Sequence, residues 1–353
     1  MAKPPTVEDV ARAAGVSRQT VSNVVNSPDI VRPATRVRVE QAIADLAYRP
    51  DAAARRLRTR RSSTIAVHLD PYSGGISGVL LDRFVHALTE GASERGMRVL
   101  IYSARGAEEE IARLDDLIAG AEIDAVVVTG TFFGDPRTSW LTERNVPFVS
   151  FGRPWGGGDV FRASHTWVDV DGASGTKAAT NHALSAAGPH VGFLGWPSDG
   201  GTGDDRKRGW REAMAEAGTV GPYFEVVDNL AEARALMTKA FGDSHTLHDL
   251  DALVCVTDTL AVGAHLAATD AGRRELLVIG FDNTPVAEAL GISSVEQSPE
   301  LVAAGALDLL MGPTGRSVTA RDVNTSPEHV LVEPRLVVRP SERQLALRPN
   351  GAA

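Results

Sequence analysis

The 353-residue sequence predicts an all-α headpiece of helix-turn-helix type followed by an α/β body of two doubly wound subdomains. The first fifty residues contain several helix start and stop signals. After residue 62, strand-like apolar runs alternate with amphipathic segments. Charge divides the chain in the same way. Residues 1–62 carry 12 Lys and Arg against 6 Asp and Glu, although the whole chain has a net charge of −9. A small basic part therefore precedes an acidic body, and only the basic part suits a polyanionic partner.

Local signals predict three helices in the headpiece. Residues 6–9 have the pattern of a capping box, and apolar residues follow at helical spacing. Gly15 supplies the backbone freedom that a short turn between helices requires. Ser17 is a natural N-cap for a second helix, which should run from residue 18 to about residue 25. A third helix should begin with Pro33 in its first turn.

The second helix has an outward polar face that suits the major groove of DNA. Arginine bonds the edge of guanine and Asn or Gln bonds adenine, so such side chains can read bases. The expected base-reading residues are Arg18, Gln19, Ser22 and Asn23. The expected phosphate contacts are Thr6, Ser17, Thr20, Asn26 and Arg36. The alternative is a small three-helix bundle whose polar face is merely solvated.

The run from residue 6 to residue 26 resembles the headpiece of the LacI/GalR repressor family almost position for position. Residues 48–58 are similar to that family's linker, except that Asp51 stands where Asn is common. The resemblance implies a hinge helix that enters the minor groove through Ala54, Leu57 and Arg58, with Leu57 as an apolar wedge. A helix this short is marginal in water, so it would order only against DNA and its symmetry mate. The alternative is a basic, solvated linker.

The body alternates strands with helices in two series. The expected strands are 64–69, 98–102, 125–128 and 148–151 in the first series, then 192–195, 253–256 and 277–280 in the second. Near-continuous apolar runs between helices indicate parallel sheets covered on both faces. Ligands of such folds bind at the carboxyl ends of the strands. These features resemble the periplasmic-binding-protein-like effector domain of the same family.

The resemblance implies a domain division. The expected parts are a headpiece at 1–50, a hinge at 51–62, an effector domain at 63–340 and a flexible tail at 341–353. Within the effector domain, one subdomain would hold 63–170 and 292–325, and the other 171–291 and 326–340. The chain would then cross between subdomains near Asp171, Ile292 and Thr325.

Polar residues near the carboxyl ends of the strands are the expected effector contacts. They are Asp70, Asp171, Arg206, Asp258, Asp282 and Gln297. By resemblance, Arg206 and Asp282 match the family's effector-binding arginine and its acidic counterpart. An Arg and an Asp that face each other suit a polyhydroxylated ligand, because each can bond vicinal hydroxyls in pairs. The alternative is that Asp282 caps a helix and Arg206 pairs with Asp204 or Asp205.

Two departures from the family pattern weaken any inference of the ligand's identity. Many relatives carry Asn before the acid of the next helix, whereas this chain has Thr257 before Asp258. Leu80 and Leu81 stand where an aromatic pair is common, which removes a stacking platform. Trp196 and Tyr72 are candidate substitutes, and the more common alternative is that Trp196 is a core or rim residue.

We therefore expect a cytoplasmic, sequence-specific transcription regulator that represses carbohydrate-utilisation genes. It would bind a near-palindromic double-stranded DNA operator as a homodimer, under control of a small-molecule effector, a sugar. No cofactor, metal, membrane contact or catalysis is expected. The segment from Gly172 to Lys177 lacks the spacing of a phosphate loop, no long apolar run is present, and Cys255 is expected to be a buried small side chain. Alternatives are a secreted solute-binding protein, an architectural DNA-binding protein and an activator.

Overall fold

The computed structural model describes residues 5–48, 62–69, 78–156, 165–198, 200–242, 249–312 and 329–340. The chain divides into two compact units, Met1–Ser62 and Ser63–Ala353. Within the described ranges, no helix is long and apolar enough to cross a bilayer.

The first unit is a three-helix headpiece. Its elements are α1 (Val7–Ala14), α2 (Arg18–Asn26), a turn of 3-10 helix (Pro28–Ile30) and α3 (Pro33–Asp45). The predicted capping box of α1 is present, because Thr6 and Asp9 exchange backbone and side-chain hydrogen bonds. Gly15 ends α1 in the left-handed region at φ 63°, and Ser17 caps α2. These caps fix the angle at which α2 leaves the turn.

The second unit alternates strands and helices along the whole body. Its first half contains β1 (Thr64–His68), α4 (Gly78–Glu94), β2 (Arg98–Tyr102), α5 (Ala107–Ala119), β3 (Ala125–Val128), α6 (Pro136–Glu143), β4 (Phe148–Phe151) and β5 (Trp167–Val170). Its second half contains α7 (Gly172–Ala186), β6 (Val191–Gly195), α8 (Thr202–Glu216), β7 (Tyr223–Glu225), α9 (Leu230–Gly242), β8 (Ala252–Cys255), α10 (Asp258–Asp270), β9 (Leu277–Phe281), α11 (Pro285–Ala289), β10 (Ser293–Glu296), α12 (Pro299–Met311), β11 (Val330–Val332) and β12 (Arg335–Val337).

These strands form two six-stranded sheets, one in each subdomain. The first has the order β11-β5-β4-β3-β1-β2, and the second has the order β12-β10-β9-β8-β6-β7. All neighbouring strands are parallel except the pair of β10 and β12. Parallel neighbours need crossover helices, so both faces are covered and the central strands are fully buried. The predicted architecture of two doubly wound subdomains is confirmed.

The chain crosses between the two subdomains at three places. The first crossing lies at Asp171, between β5 and α7. Strand β10 pairs with β9 in the second sheet, so the second crossing follows Glu296 and not Ile292. Strand β11 pairs with β5 in the first sheet, so the third crossing lies between β11 and β12. The predicted point, Thr325, is outside the described residues. Strand β10 is mostly polar and has no apolar run that would predict a strand. Its place in the sheet is set by pairing with its neighbours.

Candidate functional site

The predicted base-reading residues share one helix of the headpiece. Val21 and Val24 of α2 are buried in the core, whereas Arg18 and Gln19 are exposed and Ser22 and Asn23 are half-buried. Gln19 Nε2 donates to Asn23 Oδ1 at 2.8 Å, which aligns the two amides on successive turns. The apolar side of α2 therefore holds the helix in the headpiece and leaves its polar side open to a ligand.

Arg18 has a partner that the sequence did not indicate. Its Nε lies 3.1 Å from Oε1 of Glu8, on α1. Both side chains are largely exposed, so the pair contributes little to stability. It does hold the guanidinium at the start of α2 before any DNA is bound.

The predicted phosphate contacts occupy helix starts or exposed pairs. The Ser17 hydroxyl accepts from Thr20 N–H at 3.1 Å and lies 2.9 Å from the Thr20 hydroxyl. Thr6 donates its hydroxyl to Asp9, and Arg36 donates to Glu40 at 2.7 Å. The side chain of Asn26 is outside the described part of the structure, as are the hinge residues Ala54, Leu57 and Arg58.

In the body, Arg206 and Asp282 face each other at the carboxyl edge of the second sheet. Arg206 lies in the second turn of α8, and Asp282 directly follows β9. Arg206 Nη1 is 3.8 Å from Asp282 Oδ1, and both side chains are almost fully buried. Asp282 Oδ1 also accepts from Gln297 Nε2 at 2.5 Å, so three of the predicted effector residues are in one place. The backbone of Asp282 has a φ of 115°, a strained value for a residue with a side chain and one typical of functional sites.

Arg206 is held by contacts that leave part of its guanidinium unused. Nη1 donates to the carbonyl oxygen of Val256 at 2.6 Å, and the guanidinium carbon lies 3.7 Å from the centre of the Phe281 ring. Its Nε has no hydrogen-bond partner among the described residues. Burial lowers the pKa of Arg206, and Asp282 opposes that shift. Arginine keeps its proton in proteins, and a buried donor without a partner is costly unless a ligand binds it.

The alternative partners of Arg206 and Asp282 are engaged elsewhere. Thr284 caps α11, in place of Asp282. Asp204 accepts from Ser198 and from Gly200 N–H, and Asp205 accepts from Arg208. The arrangement is therefore an Arg–Asp pair that faces across the edge of the sheet.

Asp258, another predicted effector residue, makes its own set of hydrogen bonds in the second subdomain. It is completely buried, and its two carboxylate oxygens accept from Thr284 N–H and from the Ser294 hydroxyl, each at 2.6 Å. A methyl group added at Gly280 would collide with the Asp258 carboxylate. Burial raises the pKa of Asp258, and those hydrogen bonds oppose the rise. Both oxygens therefore join β10 to the loop after β9.

Of the other two predicted effector residues, the structure describes Asp171 but not Asp70. Asp171 is the N-cap of α7 at the first crossing, where Oδ1 accepts from Ser174 N–H at 3.0 Å. It is half-buried. Asp70 lies outside the described residues, as does Tyr72.

Asp228 and Arg153 are polar residues at the same edges that sequence reasoning missed. Asp228 Oδ1 accepts from the Thr257 hydroxyl at 2.6 Å and from Trp196 Nε1 at 3.3 Å. Arg153 follows β4 and donates to Asp169 at 2.6 Å. The rule that ligands bind where parallel strands end could have found both, since each follows a strand within three residues.

Comparison with known proteins identifies the family of this chain. The HTH-type transcriptional regulator CelR of Thermobifida fusca is 33% identical over 360 residues, which cover 96% of this chain and 98% of that relative. The chain belongs to the LacI family. The profile described as "Bacterial regulatory proteins, lacI family" matches residues 6–51, and that of the "Periplasmic binding protein-like domain" matches residues 180–341.

Solved structures of LacI-family proteins share the fold. A transcriptional regulator CelR–cellobiose complex is 28% identical, with a TM-score of 0.66, and the match covers 96% of this chain and 99% of that one. A lac repressor dimer bound to operator and the anti-inducer ONPF has a TM-score of 0.76 at 21% identity, over 96% and 98% of the two chains. The chain is a LacI-family transcriptional regulator with a DNA-binding headpiece and a periplasmic-binding-protein-like body.

Proposed function

We propose that this regulator represses carbohydrate-utilisation genes and that a saccharide bound between its two body subdomains controls operator binding. The proposal rests on Arg206, which is buried and faces Asp282 at 3.8 Å. Its Nε has no hydrogen-bond partner among the described residues. Similarity to CelR, a protein solved with cellobiose, supports a saccharide over other polyols.

The chemistry of the site fits vicinal hydroxyl groups. Arg206 supplies charged donors, Asp282 supplies acceptors, and Gln297 orients Asp282 through the bond at 2.5 Å. A saccharide hydroxyl both donates and accepts, so it can bond the two charged groups at once. We include Asp171 and Asp70 in the site because each follows a strand of the first sheet at its carboxyl end. We leave out Asp258, since both of its oxygens are in use.

The headpiece reads the operator through α2 in the major groove. Arg18, Gln19, Ser22 and Asn23 contact base edges. Backbone phosphates bind a second set of residues, namely Thr6, Ser17, Thr20, Asn26 and Arg36. In a homodimer, two such helices enter successive major grooves, so the operator is a near-palindrome. Ala54, Leu57 and Arg58 of the two hinges enter the minor groove between the half-sites.

Control of DNA binding follows from the position of the ligand. A saccharide that contacts both subdomains favours the arrangement in which it makes the better contacts, and it acts only through that difference in affinity. The changed arrangement then determines whether the hinges of two protomers can pair on DNA.

One selection experiment tests the proposal. The full-length protein selects DNA from a random pool, first without ligand and then with cellobiose, maltose, xylobiose, glucose and two nucleosides. We expect a palindromic consensus and a change of operator affinity with at least one saccharide. Asp282→Asn should keep the consensus and lose the response to that saccharide. A response to a nucleoside and to no saccharide would refute the proposed ligand class, and a consensus without symmetry would refute the dimeric operator.

A further inference from the structure

The second crossing between the body subdomains runs from the end of β10 to the start of α12. Glu296 is the last residue of β10, in the second sheet, and Glu300 lies in the first turn of α12. Helix α12 packs on α4 of the first subdomain, where Leu307 shares a buried core with Phe84. The two carboxylates are thus four residues apart in the chain and belong to different subdomains.

Arg83 of α4 bonds both carboxylates at once. Its Nε and Nη2 donate to the two oxygens of Glu300, each at 2.9 Å. Its Nη1 donates to the two oxygens of Glu296 at 3.2 Å and 3.4 Å. The paired bonds to Glu300 stay within the first subdomain, whereas the bond to Glu296 crosses to the second. Because the paired bonds are shorter and have fork geometry, a change in the arrangement of the subdomains would break the bond to Glu296 first.

Glu296 also holds the backbone of the crossing. Its side chain is only 10% exposed. Oε2 accepts from Asn283 Nδ2 at 2.7 Å, and Oε1 accepts from Ser298 N–H at 2.9 Å. Ser298 lies within the crossing and has a φ of 52°, a left-handed value that is uncommon for a residue with a side chain. Hinges are places where a few residues absorb large changes in backbone angles, so Glu296 joins the second sheet, a candidate hinge and Arg83.

The same two chain segments carry the candidate ligand pair. Asn283 directly follows Asp282 in the loop after β9. Glu296 directly precedes Gln297 at the end of β10. Two side-chain hydrogen bonds therefore join these segments, from Gln297 to Asp282 at 2.5 Å and from Asn283 to Glu296 at 2.7 Å. The bond from Arg83 thus ends on the residue next to the candidate ligand site.

We propose that Arg83 is a latch between the two body subdomains. Glu300 holds Arg83 in the first subdomain, and its bond to Glu296 favours the arrangement seen in this structure. The inference goes beyond the proposed function, because it concerns the equilibrium between subdomain arrangements and needs no ligand. A contact that is made in one arrangement and lost in another shifts the equilibrium between them. A fully exposed ion pair would contribute little, but loss of Arg83 leaves the nearly buried Glu296 carboxylate without the cation that faces it.

Distances between two spin labels, one in each subdomain, test the latch in the full-length protein. Glu143→Cys in the first subdomain and Val220→Cys in the second supply exposed thiols, and the one native cysteine, Cys255, is buried. Singly labelled proteins report distances between copies of the chain, which are subtracted. The wild type should show one main distance. Arg83→Gln should move about a tenth or more of the molecules to a second distance.

Arg95→Gln is the matched control for loss of an arginine on α4. Arg95 also joins α4 to α12, through Asp308 at 2.7 Å, but both partners lie in the first subdomain. Its label distances should equal those of the wild type. Arg83→Lys keeps the charge but cannot form the planar fork, so it should show part of the change that Arg83→Gln causes. Circular dichroism verifies that each variant is folded before its distances are compared.

Glu296→Gln and the double variant with Arg83→Gln complete the test. Glu296→Gln should produce the same second distance, and the double variant should add nothing to it, because Arg83 acts through that carboxylate. Wild-type distances in Arg83→Gln would overturn the latch. An equal change in Arg95→Gln would also overturn it, since that result would indicate a general loosening of α4 against α12. Additive changes in the double variant would show that the two residues act independently, which contradicts the proposal.

Discussion

Arg153 and Asp205 bring the two subdomains into direct electrostatic contact. Nη2 of Arg153, which follows β4, lies 3.6 Å from Oδ2 of Asp205 on α8. The same guanidinium donates to Asp169 and to the carbonyl oxygen of Val170 in the first sheet. Asp205 immediately precedes Arg206 in the chain, so any movement of α8 that follows ligand binding also changes a contact with the first subdomain.

We predict that Arg153→Met destabilises the body by about 3 kcal/mol, because it leaves the Asp169 carboxylate buried without its cation. Arg153→Met with Asp169→Leu should recover most of that loss, since the pair is then replaced by apolar side chains of similar volume. Urea denaturation of the two single variants and the double variant measures the coupling. Simple additivity of the two losses would contradict the prediction.

Asp205→Asn should reduce the effect of saccharide on operator affinity while ligand-free operator affinity stays the same. The substitution removes the charge that attracts Arg153 across the subdomain boundary. Arg208→Gln is the matched control, because it removes the 2.6 Å pair of Arg208 with Asp205 and leaves Arg153 in place. Fluorescence anisotropy of labelled operator, titrated with and without saccharide, gives both quantities. Equal behaviour of the two variants would assign the coupling to another contact.

Arg18→Ala should relax base preference at one operator position in each half-site, with a loss of roughly 1–3 kcal/mol on the preferred base. Arg12→Ala also removes one cation from the headpiece, but its partner is Asp9 and it lies at the end of α1. Both variants should lose a similar, small affinity for random DNA. A parallel loss on specific and random DNA for Arg18→Ala would argue that Arg18 contacts phosphate and not a base.

Asp258→Asn should destabilise the protein by about 2 kcal/mol, because the one amide oxygen can accept from Thr284 N–H but the NH₂ group cannot accept the Ser294 hydroxyl proton. Asp270→Asn, at the exposed end of the same helix, should have no comparable effect. Chemical denaturation measures stability, and titration measures saccharide affinity of the folded variants. Lost saccharide affinity at unchanged stability would return Asp258 to the ligand site.

Stability should fall in mild acid through His165. Burial lowers the pKa of His165 to about 4, from an ordinary value of 6.5, and nearby His329 adds to the shift. The unfolded chain therefore binds a proton in a range where the folded protein does not. The contribution of His165 is complete above the unfolded pKa and is lost as pH falls from 6.5 towards 4, to a total of about 3 kcal/mol.

Unfolding free energies measured across this pH range test that assignment. His165→Gln should flatten the decline, because glutamine does not titrate. His86→Gln is the control, since His86 is 72% exposed on α4. A decline of equal steepness in wild type and His165→Gln would assign the acid sensitivity to other groups.

Sequence reasoning succeeded where the determinants are local. The cap at Thr6, the turn at Gly15 and the cap at Ser17 depend on residues within four positions of one another, so the headpiece could be predicted almost to the residue. The apolar runs of the body likewise predicted seven of the twelve strands in the described residues, together with their parallel pairing.

The errors concern contacts between distant segments. Asp258 and Asp282 both follow strands of the second sheet. Only three-dimensional packing shows that Asp258 accepts hydrogen bonds from Ser294 and Thr284, whereas Asp282 faces Arg206. Strand β10 could not be placed from its own four residues, because pairing with β9 assigns it to the second sheet. Arg153 and Asp205 lie 3.6 Å apart although they are distant in the chain, and no local pattern encodes that pair.

The last two strands have a consequence for how the protein is made. Strand β11 completes the edge of the first sheet and β12, two residues later, completes the edge of the second. The first sheet lacks its last strand until the ribosome has synthesised Val332, and the second lacks its last strand until Val337, so both subdomains finish folding late in synthesis. The headpiece needs only the first forty-eight residues for its core. A nascent chain thus has a folded DNA-binding unit long before its ligand-responsive body is complete.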